Sequence, residues 1–253
     1  MPTQLSREQI IHALHQALQP LSYTCAMWEG GAVAFNRFDQ WSDIDLMVDV
    51  EDEHVAEAMQ VIEQTLNALS PIDLKYELPQ PTWHGHAQSF FRLKDAGPFL
   101  LVDVCVLYHS KPNKFLEPEM HGKLLVHFDK CGVVRQVASD PSEMARKLLE
   151  RAATLKVTFD MFQSLTTKEL NRGNWIEALA FYNGYTLRPL VEALRILHQP
   201  QRYSFHTRYI HYDLPPQVVQ RLERLYFVAN GEDLRARQAE AQQWFYETFE
   251  QIN

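Results

Sequence analysis

The periodicity of the apolar residues changes near residue 140, and this change limits the folds open to the chain. Before it, short runs with strand-like alternation are mixed with stretches of helical spacing. After it, apolar residues recur at helical spacing and no run has the pattern of a strand. The 46% hydrophobic content is enough to fill a real core. We therefore predict an α+β fold, with a mixed-sheet domain at residues 1–138 and an all-helical domain at residues 139–253.

Capping residues predict the first helix of each domain. Ser6 and Gln9 have the spacing of a capping box, in front of a helical pattern that Pro20 ends. Asp140 precedes Pro141, the order expected of an N-cap and the first helical residue. These signals indicate where the chain enters each predicted domain.

Charge and composition favour a small-molecule partner over nucleic acid or a membrane. The formal net charge of −8 argues against broad binding of DNA or RNA to a basic surface. No apolar run approaches the roughly 18–20 residues of a membrane-spanning helix, and the first residues lack an export signal. We therefore predict a cytoplasmic protein. The sparse set of Cys25, Cys105 and Cys131 favours buried reduced thiols over a disulfide framework.

The stretch "DIDLMVDV" places two aspartates in a predicted strand, where aspartate is uncommon. Side chains alternate along a strand, so the apolar residues from Ile44 to Val50 can face the core while Asp43 and Asp45 share the other face. Their carboxylates would then lie roughly 6.6 Å apart. Two interpretations remain open at this point, a solvated outer face and a paired-carboxylate site.

A third aspartate, Asp103, is the one residue that is not apolar in "FLLVDVCVL". Such a run indicates a strand buried on both faces, where an ionised carboxylate needs a partner. One alternative is a salt bridge to Arg92 on the preceding strand. The other places Asp103 on a strand beside Asp43 and Asp45, so that three carboxylates converge. Because like charges repel, this second arrangement requires cations.

Magnesium is the metal that suits such a site, since it binds a few carboxylates together with water and substrate phosphates. Two ions about 4 Å apart can hold the attacking and leaving oxygens of a phosphoryl transfer. Gly30 and Gly31 precede a predicted short helix, where backbone N–H groups can approach a phosphate closely. A simple Gly-Gly turn is the alternative.

These elements together resemble the nucleotidyltransferase superfamily, which includes DNA polymerase β and the aminoglycoside and lincosamide nucleotidyltransferases. That family has a Gly-Gly or Gly-Ser pair, a spacer, an Asp-hydrophobic-Asp/Glu-hydrophobic motif and a third carboxylate on a later strand. Here "GG" is followed by eleven residues from Ala32 to Ser42, then by "DIDL" and later by "VDV". Gly31 replaces the common serine, so a hydroxyl contact to the triphosphate must come from elsewhere.

The resemblance implies a Mg²⁺-dependent enzyme that moves AMP from ATP to a hydroxyl of a small molecule, for example an antibiotic, and releases pyrophosphate. It implies two Mg²⁺ ions held by Asp43 and Asp45, with Asp103 completing the acceptor-side metal shell. Three residues are assigned to the nucleotide, namely Gly30, Gly31 and Ser42. Two alternatives stay open, an adenylyltransferase that acts on protein or RNA, and a degenerate module that binds nucleotide or a partner without turnover.

Other polar residues are also candidates for a functional role. His84 and His86 in "WHGH" lack the cysteine pair or HExxH motif of a zinc site, so we expect them at the surface or in contact with substrate. Glu150 and Lys156 lie on the first helix of the second domain, where relatives in the resembled family supply a general base and a phosphate-binding lysine. A charged solvent-exposed face explains both residues equally well.

Overall fold

A computed structural model of the protein describes residues 4–252. The chain divides into two compact units, residues 1–138 and 139–253. The first unit contains a six-stranded sheet with helices, and the second contains helices and no strand within its described residues. The predicted α+β class is therefore confirmed. Between residues 4 and 252, no helix has both the length and the apolar composition needed to cross a bilayer.

The first unit alternates strands and helices. Its strands are β1 (Thr24–Glu29), β2 (Ile44–Val50), β3 (Ile72–Glu77), β4 (Ala87–Leu93), β5 (Leu101–Tyr108) and β6 (Leu125–Asp129). Its helices are α1 (Arg7–Leu18), α2 (Gly31–Ala34), α3 (Val55–Leu69) and α4 (Pro118–His121), with a 3₁₀ turn at Asp52–His54. The predicted capping box is present at α1, since Ser6 and Gln9 each bond the other's backbone.

The strands form one mixed sheet in the order β3-β4-β5-β2-β1-β6. The neighbours β2 and β5 are parallel, and every other neighbouring pair is antiparallel. The two strands that carry the predicted acidic residues therefore lie side by side near the centre of the sheet. Parallel neighbours need a long connection, which α3, β3 and β4 supply here.

Helices α1 and α3 cover one face of this sheet. Ile10 and Leu14 of α1 and Ile62 of α3 pack in one buried cluster with Leu46 and Val104 of the central strands. Both helices present apolar residues every three or four positions, which buries one face of each against the sheet. We call this the α1 face.

A smaller apolar cluster lies on the opposite face of the sheet and includes Trp28, Cys105 and Leu124. Because side chains alternate along a strand, Asp45 and Asp103 also point to this second face. Both are partly exposed. The prediction that the apolar residues of β2 face the core while its aspartates face away is therefore confirmed for Asp45.

Within its described residues, the second unit contains six α-helices. They are α5 (Pro141–Arg172), α6 (Trp175–Phe181), α7 (Arg188–His198), α8 (Ile210–Asp213), α9 (Pro216–Tyr226) and α10 (Gly231–Ile252). A π-helical turn, Tyr182–Leu187, joins α6 to α7, and a 3₁₀ helix, Pro200–Phe205, follows α7. Asp140 is the N-cap of α5, as predicted, because its Oδ1 accepts a hydrogen bond from the Ser142 N–H at 2.9 Å. Gly173 ends α5 in the left-handed conformation.

A buried ion-pair network fixes the segment that follows α7. Arg195 is fully buried and donates to the Asp213 carboxylate at 3.0 Å. Arg202 donates to the other oxygen of the same carboxylate at 2.7 Å. Arg195 also donates to the backbone carbonyl of His206. Since buried charges are tolerated only when paired and hydrogen-bonded, this network holds the segment in one arrangement.

The cysteine prediction is wrong for two of the three residues. Cys25 and Cys131 form a disulfide, with their Cα atoms 5.2 Å apart, while Cys105 is free and buried. The pairing of β1 with β6 explains the bond, because it brings together residues that are separated by 106 positions. The Lys130 N–H donates to the Cys25 carbonyl at 2.8 Å and holds the two segments side by side.

Candidate functional site

The candidate site lies where β2 and β5 run side by side. These strands are parallel, and Asp45 is the register partner of Asp103. Neighbouring strands are about 4.8 Å apart, so the two carboxylates start from adjacent backbone positions on the same face. Asp43 immediately precedes β2. The structure thus brings together two aspartates that are distant in the sequence and leaves Asp43 just outside the paired segment.

Gly31 lies directly against Asp45. Its backbone has φ +57°, a conformation that favours glycine, and a Cβ atom there would lie 1.6 Å from Asp45 Oδ2. The N–H of the preceding glycine, Gly30, donates to the Asp45 carbonyl at 3.0 Å. The glycine pair and the strand aspartate therefore form one packed unit, and no larger residue fits at position 31.

The predicted helix after the glycines is a single turn, α2, of four residues. So short a helix has few aligned peptide dipoles, which limits its attraction for an anion. Since the Gly30 N–H is used by Asp45, any phosphate contact at this turn falls to the N–H groups from Gly31 onward.

Ser42, which was predicted to contact the nucleotide, makes local bonds. Its hydroxyl donates to Asp39 Oδ1 at 2.9 Å and accepts from the Asp39 N–H at 3.0 Å. The Trp41 N–H donates to the same Asp39 oxygen at 3.0 Å. These bonds close a compact turn directly before Asp43. On the other side of this turn, Arg7 of α1 donates to the Asp43 carbonyl.

A chain of side-chain hydrogen bonds orients Asp103. The Gln88 amide Nε2 donates to Asp103 Oδ1 at 2.7 Å, and Gln88 Oε1 lies 3.0 Å from His84 Nε2. Because the His86 N–H donates to His84 Nδ1 at 3.1 Å, the proton of the neutral His84 ring resides on Nε2. His84 therefore donates to Gln88, and Gln88 donates to Asp103.

The sequence did not predict a role for Gln88 in the site. Gln88 lies on β4, where its register partner is Cys105. Phe90, two residues further along β4, is the register partner of Asp103. The alternation of "HAQSFFRL" places Gln88 on the same face as the aspartates once the order of the strands is known. The sequence alone does not give that order.

The two histidines are buried, so of the two predicted positions the surface one is wrong, and contact with substrate stays a prediction. His84 is 8% exposed and His86 is fully buried. His86 Nε2 donates to the Asn113 carbonyl at 2.6 Å, and its Nδ1 accepts from the Tyr108 N–H at 3.1 Å. Burial lowers the pKa of both imidazoles below the usual value, which favours the neutral rings that these bonds require.

The alternative partner for Asp103, Arg92, is engaged elsewhere. Arg92 Nε donates to Asp73 Oδ2 of β3 at 2.8 Å. In the register of β4 and β5, Arg92 lies opposite Leu101. Arg92 therefore pairs with Asp73 of the edge strand β3, in place of the salt bridge to Asp103 that was the alternative interpretation.

The charge of Asp103 also acts on a neighbouring thiol. Burial and, to a smaller extent, the negative charge of Asp103 raise the pKa of Cys105 to about 12. Cys105 therefore remains a protonated thiol at neutral pH and is a poor nucleophile. It contributes packing to the second face of the sheet.

The three aspartates offer the donor chemistry of a Mg²⁺ site, but their oxygens are not gathered as tightly as those of a preformed cage. Within residues 4–252, two groups of three acidic, histidine or cysteine side chains have ligand atoms within 4.8 Å of one another. These groups are Cys25, Asp49 and His109, and Glu51, Glu53 and His54. The three aspartates do not form such a group. All-oxygen carboxylate donors suit Mg²⁺, and sharing one ion among all three would require their side chains to rotate.

Glu150 and Lys156 of α5 form surface ion pairs. Arg146 donates to Glu150 at 2.7 Å, and Lys156 pairs with Asp160, each four residues apart on the helix. The Glu150 side chain is 65% exposed. These contacts are typical of a solvent-exposed helix face.

Comparisons with known proteins add little to this geometry. No protein-family model matches the chain, and no curated protein sequence matches it. Among solved structures, the chain is similar to an aminoglycoside 6-adenyltransferase from Bacillus subtilis, with 11% sequence identity and a TM-score of 0.40. The similarity covers 98% of this chain and 90% of that chain. So low a TM-score carries no argument about function, and the proposal that follows rests on the arrangement of the site.

Proposed function

We propose that this chain is a Mg²⁺-dependent nucleotidyltransferase that moves AMP from ATP to a hydroxyl group of a small molecule and releases pyrophosphate. The observation that supports this proposal is the register pairing of Asp45 with Asp103 while Gly31 lies against Asp45. Two neighbouring carboxylates can bind the metal ions that assist a phosphoryl transfer, and a glycine turn lets backbone N–H groups approach a phosphate. The first unit would supply the chemistry, and the second would bind the acceptor, for which antibiotics are one class.

Two Mg²⁺ ions would be held by Asp43 and Asp45, with Asp103 completing the acceptor side. When bound, the ions neutralise the charge that develops on the attacking and leaving oxygens. The hydrogen bond from Gln88 to Asp103 Oδ1 restrains this carboxylate on the acceptor side. The backbone N–H groups that follow Gly31 would bind the triphosphate, and the Asp39–Ser42 turn would hold Asp43 in place.

The proposed transfer exchanges one bond of the α-phosphorus of ATP for another. The acceptor hydroxyl gives its proton to Asp103, and its oxygen forms a bond to the α-phosphorus of ATP. The bond between the α-phosphorus and the bridging oxygen breaks, and pyrophosphate leaves with the electron pair. The products are the adenylylated acceptor and pyrophosphate. Catalysis of this kind depends mainly on positioning and charge stabilisation.

Pyrophosphate release with ATP, MgCl₂ and a panel of hydroxylated small molecules, including aminoglycosides, tests the proposal. Labelled ATP shows whether AMP enters a small-molecule, protein or RNA fraction. We expect label in the small-molecule fraction. Label in protein or RNA would assign the enzyme to the other acceptor class.

A variant pair connects this activity to the site. We expect Asp103→Asn to lower the rate by about a thousandfold or more. The substitution removes the carboxylate that would bind the metal and accept the proton of the acceptor hydroxyl. The matched control is Asp73→Asn, which removes a carboxylate on the same sheet from the exposed pair with Arg92. Full activity in an Asp45→Asn, Asp103→Asn double variant would overturn the mechanism.

Binding without turnover is a second candidate function, favoured by the loose spacing of the aspartates and by the absence of a hydroxyl at position 31. It predicts that ATP binds to the chain with Mg²⁺ while no acceptor elicits pyrophosphate release. Isothermal titration with a nonhydrolysable ATP analogue separates this case from a chain that does not bind nucleotide.

A further inference from the structure

A cavity of about 560 Å³ opens on the α1 face of the first unit, and its lining includes none of the three aspartates. It lies between α1, the segment around α2 and the start of the edge strand β6. Its lining includes Arg7, Ile11, Val33, Phe38, Leu125 and His127. Small-molecule sites typically occupy about 300–1,000 Å³, so this cavity is large enough for a compact ligand.

The register of the sheet separates this cavity from the proposed transfer site. Glu29, at the base of the cavity, is the register partner of Leu46, and Leu46 belongs to the buried cluster on the α1 face. Asp45, the neighbour of Leu46 on β2, points to the opposite face. A molecule in the cavity would therefore not be the substrate that reacts at the aspartates.

The charges around the cavity disfavour an anion. Glu29 is 2% exposed and pairs with Arg7, while its other oxygen lies 2.7 Å from His127 Nε2. The Arg7 and Glu29 charges offset each other. Glu8, also in the lining, has its pKa lowered by a hydrogen bond from its own backbone N–H, by one from Ser6 and by the positive charge of Arg7. The lining carries two carboxylates against the single permanent cation Arg7, together with His12, His15 and His127. With the histidines neutral, its net charge is negative, which disfavours phosphate and favours a cation.

The walls of the cavity are suited to a ring. Ile11, Val33 and Leu125 supply aliphatic surface, and Phe38 supplies an aromatic ring that is 51% exposed. The Arg7 guanidinium lies 4.9 Å from the centre of the Phe38 ring. Apolar walls with a few convergent polar groups are the usual composition of a ligand pocket.

We propose that this cavity binds a compact aromatic cation as a second ligand, independently of the proposed transferase activity. The ring lies between the aliphatic wall and Phe38, and the cationic group lies toward Glu8. Arg7 links the cavity to the aspartates, because it pairs with Glu29 and also donates to the Asp43 carbonyl. Occupation of the cavity therefore changes the environment of the turn that carries Asp43.

Titration of the full-length protein with benzamidine, followed by amide NMR spectra, tests this proposal. We expect saturable shifts at residues of the cavity and at Ile44, which follows Asp43. Benzoate has the same ring and the opposite charge, and we expect it to bind at least about tenfold more weakly, because of the charge at Glu8. Equal binding of benzoate and benzamidine would overturn the assignment of a cationic ligand.

A pair of substitutions on β6 locates the binding. Leu125→Trp places a large ring in the cavity, whereas Val126→Trp adds the same ring on the opposite face of the same strand. Leu125 and Val126 are 46% and 44% exposed, so both variants should fold, which circular dichroism would check. We expect Leu125→Trp to weaken benzamidine binding by about tenfold or more and Val126→Trp to leave it unchanged. Unchanged binding in Leu125→Trp would place the ligand elsewhere and overturn the proposal.

Discussion

Gly31 is the residue whose size is most tightly limited in the candidate site. Its positive φ disfavours any side chain, and its Cα lies against the Asp45 carboxylate. The common serine of the resembled family would place a Cβ atom at the position that Asp45 Oδ2 occupies here. Glycine at this position is therefore matched to the observed side-chain orientation of Asp45.

Gly31→Ala should displace the Asp45 carboxylate and destabilise the first unit by about 1–3 kcal/mol, the cost of a strained backbone conformation. Urea denaturation measures the free energy of unfolding. The control is Gly184→Ala, where an added Cβ meets nothing within 4 Å and φ is not in the left-handed region. A Gly31→Ala protein as stable as the wild type would show that the glycine turn is not constrained.

At the same scale, Asp103 shows how far residue identity predicts a site. Its isolation in an apolar run indicated that it needs a partner, and the structure gives it Gln88 as a hydrogen-bond donor and Asp45 as a strand neighbour. The sequence "WHGH" was predicted to lie at the surface or in contact with substrate, and the structure buries both histidines. Imidazole is compatible with either environment, because burial is tolerated once both ring nitrogens are bonded.

At the scale of elements, β4 carries the chain of bonds that reaches the candidate site. The ordinary pKa of histidine is 6.5, and burial lowers the pKa of both His84 and His86. The folded protein therefore binds these protons less readily than the unfolded chain does. Their contribution to stability is complete above the unfolded value and is lost as the pH falls toward the lowered folded value.

The free energy of unfolding of the first unit should fall as the pH is lowered from about 7 to about 5, because burial lowers the pKa of both histidines in the folded protein. Urea denaturation at a series of pH values measures this slope. His84→Gln keeps an N–H donor toward Gln88 and does not titrate, so its slope should be smaller. The same change at the exposed His211 is the control. An unchanged slope in His84→Gln would contradict a neutral buried imidazole.

At the scale of the whole molecule, a covalent bond ties β1 to the segment that follows its sheet neighbour β6. The Cys25–Cys131 disulfide closes a loop of more than a hundred residues, since its cysteines are 106 positions apart. A crosslink of this span restricts the unfolded chain strongly in the chain-entropy model. Both cysteines lie in the first unit, so the bond acts on that unit alone.

Reduction with dithiothreitol should lower the free energy of unfolding of the first unit by about 2–4 kcal/mol and leave the transition of the second unit unchanged. Chemical denaturation with and without reductant measures both. Cys131→Ser should have the stability of the reduced protein and show no further response to reductant. If reductant destabilised Cys131→Ser as much as the wild type, the disulfide would not be the cause.

The sequence by itself determined the α+β class, the capped starts of α1 and α5, and the apolar alternation of β2. Each of these depends on residues within a few positions of one another, whose periodicity and capping are visible in the sequence. The tertiary structure decided which strands are neighbours, and with that the pairing of Asp45 with Asp103, the contact of Gly31 with Asp45 and the role of Gln88. It also decided the disulfide, the burial of His84 and His86, and the cavity on the α1 face. These features join residues that are far apart in the chain, and only the register of the sheet fixes their distances.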